Sequence, residues 1–121
     1  MMLPVKPREA WNFVRADRSN PYVEWFESLS DIKTQVRIDR RIARLEDGNW
    51  GDYRLLGGGL VEARIDYGPG WRIYFGVAEP ALVVLLLGGT KRTQDRDIEK
   101  ARALWREYET TRKKRKWYLV A

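Results

Sequence analysis

Arg64, Asp66, Arg72, Tyr74 and Lys91 are the side chains of this 121-residue chain whose types and spacing can do chemistry. Arg64 and Asp66 are two residues apart, as are Arg72 and Tyr74, so on a pair of strands each couple points to the same face. Two guanidinium groups and an ammonium stabilise developing negative charge, but arginine effectively cannot give up its proton. Proton transfer in such a patch falls to Lys91 or Tyr74, with pKa lowered by the neighbouring cations, or to Asp66 released from a pairing with Arg72. Histidine and cysteine are absent. That excludes the common zinc sites and every Ser-His or Cys-His catalytic arrangement, and leaves no side chain with an unperturbed pKa near neutrality.

The elements that must position these groups lie between Leu60 and Lys91. Val61, Ala63, Ile65 and Tyr67 alternate with polar residues, and Trp71, Ile73, Phe75 and Val77 do the same after Gly68-Pro69-Gly70, which is the pattern of a β-hairpin. With those three residues as the loop, Tyr67 is expected to face Trp71, Ile65 to face Ile73, Ala63 to face Phe75 and Val61 to face Val77. On the other face Asp66 then lies opposite Arg72, and Arg64 opposite Tyr74, with opposed Cβ atoms roughly 5 Å apart. This polar face is either a solvated sheet surface with a cross-strand salt bridge or a site. Ala81 to Leu87 is a continuous apolar run and is expected to be an inner strand. Gly88-Gly89 then turns the chain and brings Lys91 near the polar face.

The remainder reads as a scaffold for one domain, residues 1–121, with a basic extension from residue 110. Trp11 to Val14 is expected to be a short strand at the side of the sheet. Ser19 or Asn20 caps a helix with Pro21 at its first position. A second helix runs from about Asp31 to Leu45, with Ile32, Val36, Ile42, Ala43 and Leu45 inward and Lys33, Arg37, Arg40, Arg41 and Arg44 outward. Tyr53 to Leu56 reads as an edge strand and Gly57 to Gly59 as a loop or bulge. Thr93 caps a third helix that carries Ile98, Ala101, Leu104 or Trp105, and Tyr108 at helical spacing. The five cations Arg112 to Lys116, with Trp117 and Tyr118 beside them, are either a solvated tail or a contact for RNA. A formal net charge of +6 and a pI of 9.8 favour polyanions or an acidic protein partner. No apolar run reaches the roughly 20 residues of a membrane span, so a cytoplasmic protein without membrane contact is expected.

WFESLSD, RIARLEDGNWGD, RIDYGPGWRIYF and LLLGGTKRTQDRDIEKA together resemble the RelE/HigB-like toxins of prokaryotic type II toxin-antitoxin modules. The similarity is greatest to the phage-derived "addiction module killer" branch of the RelE/ParE superfamily and runs from about Tyr22 to Tyr108. The resemblance implies an α+β fold: two N-terminal helices packed on a small curved antiparallel sheet, with a C-terminal helix. It implies a metal-independent, cofactor-free endoribonuclease, ribosome-dependent, that cleaves mRNA and is silenced by a cognate antitoxin of helix-turn-helix type. A ParE-like toxin that inhibits DNA gyrase without cutting anything shares the fold and is the competing expectation. By the resemblance Arg72 meets the scissile phosphate, Arg64 and Lys91 supply further positive charge, and Tyr74 completes the catalytic group. Arg92 and Arg64 are the implied RNA contacts, with Lys113 and Lys114 expected to add to them from the charge of the tail, which departs from the family pattern; Gln94 and Asp97 belong to the branch motif or shape the helix start.

Overall fold

The computed structural model describes residues 8–78, 81–112 and 119–120. In chain order it contains β1 (Glu9–Phe13), α1 (Pro21–Glu27), α2 (Ile32–Glu46), β2 (Tyr53–Gly57), β3 (Leu60–Ile65), β4 (Trp71–Ala78), β5 (Leu82–Thr90), α3 (Gln94–Arg112) and β6 (Leu119–Val120). A 3₁₀ turn, Lys91–Thr93, joins β5 to α3. The sheet has the order β2-β3-β4-β5-β1-β6. Consecutive strands β2 to β5 pair antiparallel, while β1 joins β5 in parallel.

The α+β class holds, but two features of the architecture implied by the resemblance are corrected. A strand precedes the helices, and the sheet is mixed because the chain leaves β1 through α1 and α2 before it returns to the sheet, which permits a parallel neighbour. β1 starts two residues earlier than its sequence suggested and lies between β5 and β6, not at the side of the sheet. β5 lies between β4 and β1, as its unbroken apolar run requires.

Parity in the strands assigns the two faces. Val61, Ala63, Ile73, Phe75, Val83 and Leu85 form one core with Tyr22, Ile38 and Leu45 of the N-terminal helices. Leu60, Tyr74, Val84 and Leu86 form the other with Ala101, Trp105 and Tyr108 of α3. The face expected to be open sheet is therefore roofed by α3. Asn20 caps α1, its side chain accepting from the Val23 amide at 3.2 Å, and Asp31 caps α2, accepting from the Lys33 amide at 3.1 Å.

The buried stripe of α2 differs from the one expected. Thr34, Ile38, Arg41 and Leu45 face inward, whereas Ile32, Val36 and Ala43 stand in water. A threonine at the first turn can be buried because its hydroxyl donates to the Asp31 carboxylate at 2.8 Å. Arg41 can be buried because its aliphatic stem packs inward while Nη2 donates to the Asp52 carbonyl at 2.7 Å. Apolarity alone misassigns a face on which two polar groups find partners.

α3 lies close on the sheet because β4 has no side chain at Gly76. The Trp105 ring fills that space, and its Nε1 donates to the Gly58 carbonyl at 2.7 Å in the β2-β3 turn. A Cβ at Gly76 would overlap the indole. Gly76→Ala is expected to cost about 1–3 kcal/mol through forced displacement of α3, measured as a lower urea midpoint at unchanged m-value.

Candidate anion-binding site

The hairpin closes with Ile65 opposite Trp71, Arg64 opposite Arg72, Ala63 opposite Ile73 and Glu62 opposite Tyr74. The expected register was two residues out, because the loop takes in Asp66 and Tyr67 as well as Gly68 to Gly70. A slip of two preserves parity, so every side chain keeps its face. It changes the partners, however. The Asp66–Arg72 pair does not form; Asp66 is exposed and the two arginines oppose each other directly.

Like charges opposed across strands are destabilising, and Glu62 is what offsets them. Its side chain is fully buried under α3. It accepts from Arg64 Nε at 3.2 Å and Tyr74 OH at 3.1 Å, and from Gln94 Nε2 at 2.9 Å; Arg54 Nε lies 3.6 Å away. Both carboxylate oxygens are thus used, the condition for a buried charge to be tolerated. Glu62 was not singled out from the sequence, although it shares parity with Arg64, Arg72 and Tyr74. Gln94 takes its place here as a donor from the start of α3.

Arg72 has no such carboxylate among the described residues. It is only 8% exposed, its Nη1 donates to the Gly70 carbonyl at 2.8 Å, and its Nε is buried without a partner. The same Gly70 carbonyl accepts from the Lys91 backbone amide at 2.9 Å, which fixes Lys91 beside the hairpin turn. Gly70 has φ +78°, and a Cβ there would come within 3.0 Å of Arg72 Nη1 and 3.3 Å of Lys91 Cβ. Glycine is therefore required by conformation as well as by space. Arg64 is partly exposed, and Lys91 and Arg92 are exposed, so solvent-borne ligands reach the patch.

Tyr74 sits differently from the expectation. It is fully buried, and burial, with Glu62 next in importance, pushes its phenol well above the usual tyrosine range. It holds Glu62 in place and does not present an oxygen to solvent. Asp97 is buried over Gly89, where the Thr93 hydroxyl donates to its carboxylate. Lys113 and Lys114 lie outside the described residues. Arg64, Arg72, Lys91 and Arg92 thus gather at one end of the sheet, with Tyr74 beneath them. Among the described residues no group of three or more His, Cys, Asp or Glu side chains is placed to hold a metal. A larger cleft of ≈ 930 Å³ opens between α1 and α3, but there the three cations Arg15, Arg96 and Lys100 stand among four carboxylates, Asp17, Glu24, Asp97 and Glu107, so it carries no excess of positive charge.

Removing one partner of a buried charged network is strongly destabilising. Glu62→Ala is expected to cost about 3–5 kcal/mol, and Glu62→Gln less, read by urea denaturation. Alkaline titration tests the tyrosines. Burial raises both Tyr22 and Tyr74 above the ordinary phenol value of 10.0. The unfolded chain therefore releases these protons first, and stability is full below about pH 10 and falls as pH rises beyond it. Phenolate absorbance from these two residues should appear only with unfolding, and Tyr22→Phe with Tyr74→Phe should remove that component.

The α2-β3 end of the molecule carries no helix of the length and apolarity needed to cross a membrane, and neither does any other part of the described chain. No protein-family model matches the sequence, and no solved structure matches the fold. An uncharacterized protein of Haemophilus influenzae is 42% identical over 83 residues, which cover 69% of this chain and 84% of that protein. Identity at that level across most of both chains is shared ancestry, and the chain belongs to the family of that Haemophilus influenzae protein.

Proposed function

We propose that the chain is the toxin of a type II toxin-antitoxin pair, a RelE/HigB-like endoribonuclease that cuts mRNA without a metal, acting on the ribosome and held silent by a cognate antitoxin of helix-turn-helix type. The observation that carries this reading is Arg72: a guanidinium sealed at the base of a cationic patch, with a buried Nε lacking a partner and no carboxylate of its own among the described residues. Such a group is incomplete until an anion arrives, and a phosphate fits its planar fork.

In this mechanism the 2′-oxygen forms a bond to the adjacent phosphorus as its proton leaves. The bond from phosphorus to the 5′-oxygen breaks and that oxygen takes up a proton, giving a 2′,3′-cyclic phosphate and a 5′-hydroxyl. Arg72 and Arg64 stabilise the crowded phosphorane charge. Tyr74 exchanges no proton, because its burial favours the neutral form, and Asp66 stands apart from Arg72. Of the three proton handlers expected from the sequence, Lys91 is the one that is both exposed and tied to Arg72 through Gly70. The ribosome or the RNA supplies the second proton-transfer group.

Arg72→Ala is expected to lower cleavage about 10²–10³-fold, and Arg72→Lys not to restore it, since an ammonium lacks the fork. Primer extension on mRNA from cells expressing the chain reads this directly. Cleavage should survive EDTA with ribosomes kept intact and leave 5′-hydroxyl ends. Products with 5′-phosphates, or full activity in Arg72→Ala, overturn the reading; inhibition of gyrase supercoiling without RNA cleavage replaces it by the ParE-like function.

A further inference from the structure

The cleft between α1 and α3 is floored by an open strand edge. β1 pairs with β5 only as far as Asn12 opposite Leu85, so from Leu87 to Thr90 β5 has β4 on one side and the cleft on the other. Hydrogen bonds alternate along an antiparallel pair. The Lys91 amide donates to the Gly70 carbonyl across that pair, which makes Gly89 with Arg72 the next bonded couple and turns the amide and carbonyl of Gly88 away from β4. Thr90 is turned the same way, but the Thr93 hydroxyl accepts from its amide at 3.3 Å. Gly88 is thus a buried peptide group that faces the cleft, and among the described residues none outside the sheet bonds to it. Such a group requires a partner.

The walls of the cleft suit a flat ring. Trp25 of α1 packs on one core and Leu104 of α3 on the other, so they stand on opposite faces of the sheet with the Gly88 edge between them. Both helices come close to the strand, since a Cβ at Gly88 would strike the Trp25 ring and one at Gly89 the Asp97 carboxylate. The carboxylates are already engaged: Asp17 by Ser19, Glu24 by the Asn20 amide, Asp97 by Thr93 and Glu107 by Arg15. What remains is one donor and one acceptor between apolar walls, which match the edge and the faces of a nucleobase. An extended peptide needs free groups on alternate residues of an edge. Here it meets Gly88 alone, and the bidentate Arg15–Glu107 bridge runs from the end of β1 to α3 beside it. Arg72 lies directly opposite Gly89, one strand spacing of roughly 4.8 Å away. We propose that this cleft takes the base of the nucleotide beside the scissile phosphate, its ring between Trp25 and Leu104 and its hydrogen-bonding edge on the Gly88 amide and carbonyl. The proposal rests on the ribonuclease reading and adds to it a source of base preference.

The test follows the isotope-labelled full chain by NMR during titration with each nucleoside 5′-monophosphate and, beside them, with ribose 5-phosphate and a capped extended peptide. The nucleotides should shift both the Gly88 amide and the Arg72 Nε signal, and the sugar phosphate only the latter. Ala103→Trp fills the cleft from an exposed position on α3. It should weaken the Gly88 response at least about ten-fold, keep the Arg72 response and leave Tm unchanged. Primer extension should find that cuts made by the unaltered chain favour particular bases beside the cut, and that those made by Ala103→Trp lose this preference. A Gly88 response to ribose 5-phosphate, a response to the peptide in place of the nucleotides, none to any nucleotide, or a base preference that survives in Ala103→Trp overturns the proposal. If no RNA is cut while Gly88 still answers to the base, the ribonuclease reading falls and the cleft stands as a nucleotide site.

Discussion

Glu62 is the group on which the candidate site depends. A carboxylate sealed between a sheet and a helix is unfavourable by itself, and it persists because donors from three elements converge on it: Arg64 of β3, Tyr74 of β4 and Gln94 of α3. The convergence works in both directions. It makes the buried charge tolerable, and it holds Arg64 in place opposite Arg72 against their mutual repulsion. Since Glu62 is committed to Arg64 and Arg54, Arg72 is left without a counter-ion among the described residues. The unpaired positive charge of the site is thus a by-product of how its neighbour is paired.

The roof over this patch has a packing origin. Gly76 leaves a gap in β4 that the Trp105 ring occupies, and Trp105 stacks on Tyr108 at 5.1 Å, which in turn meets Phe13 of β1 edge-on at 5.7 Å. These contacts pin α3 across the sheet from β3 to β1. Its start, with Gln94 and Asp97, is thereby held over the Glu62 end. A site built on strands and the first turn of a pinned helix has little freedom to shift, which is the condition for electrostatic stabilisation without reorganisation.

The two faces of the molecule carry unmatched positive charge of different kinds. Around Arg72 the cations lie at the end of the sheet, where Arg64, Lys91 and Arg92 reach solvent. Along α2, Lys33, Arg37, Arg40 and Arg44 stand beside the exposed aliphatic side chains of Ile32 and Val36. The formal net charge of +6 counts the whole chain, including the cations 113–116 outside the described residues, so the total says nothing of how charge is placed on these two surfaces.

Strand parity, the helix caps at Asn20 and Asp31, the inner position of β5 and the cationic character of the patch were all legible in the sequence. Each follows from local chemistry: alternation, capping preference or an unbroken apolar run. The hairpin register was not, because the apolar pattern is unchanged by a slip of two and only the loop geometry chooses between registers. For that reason the Asp66–Arg72 pair was expected where Arg64 stands instead. The inward face of α2 was misjudged for a related cause, since Thr34 and Arg41 can be buried only when Asp31 and the Asp52 carbonyl are there to receive them. The parallel pairing of β1 and the burial of Tyr74 and Glu62 depend on contacts between residues far apart in the chain. The sequence by itself determined which side chains share a face; the tertiary structure decided which of them are partnered, and so which cation is left free, because pairing is a property of distance and not of order along the chain.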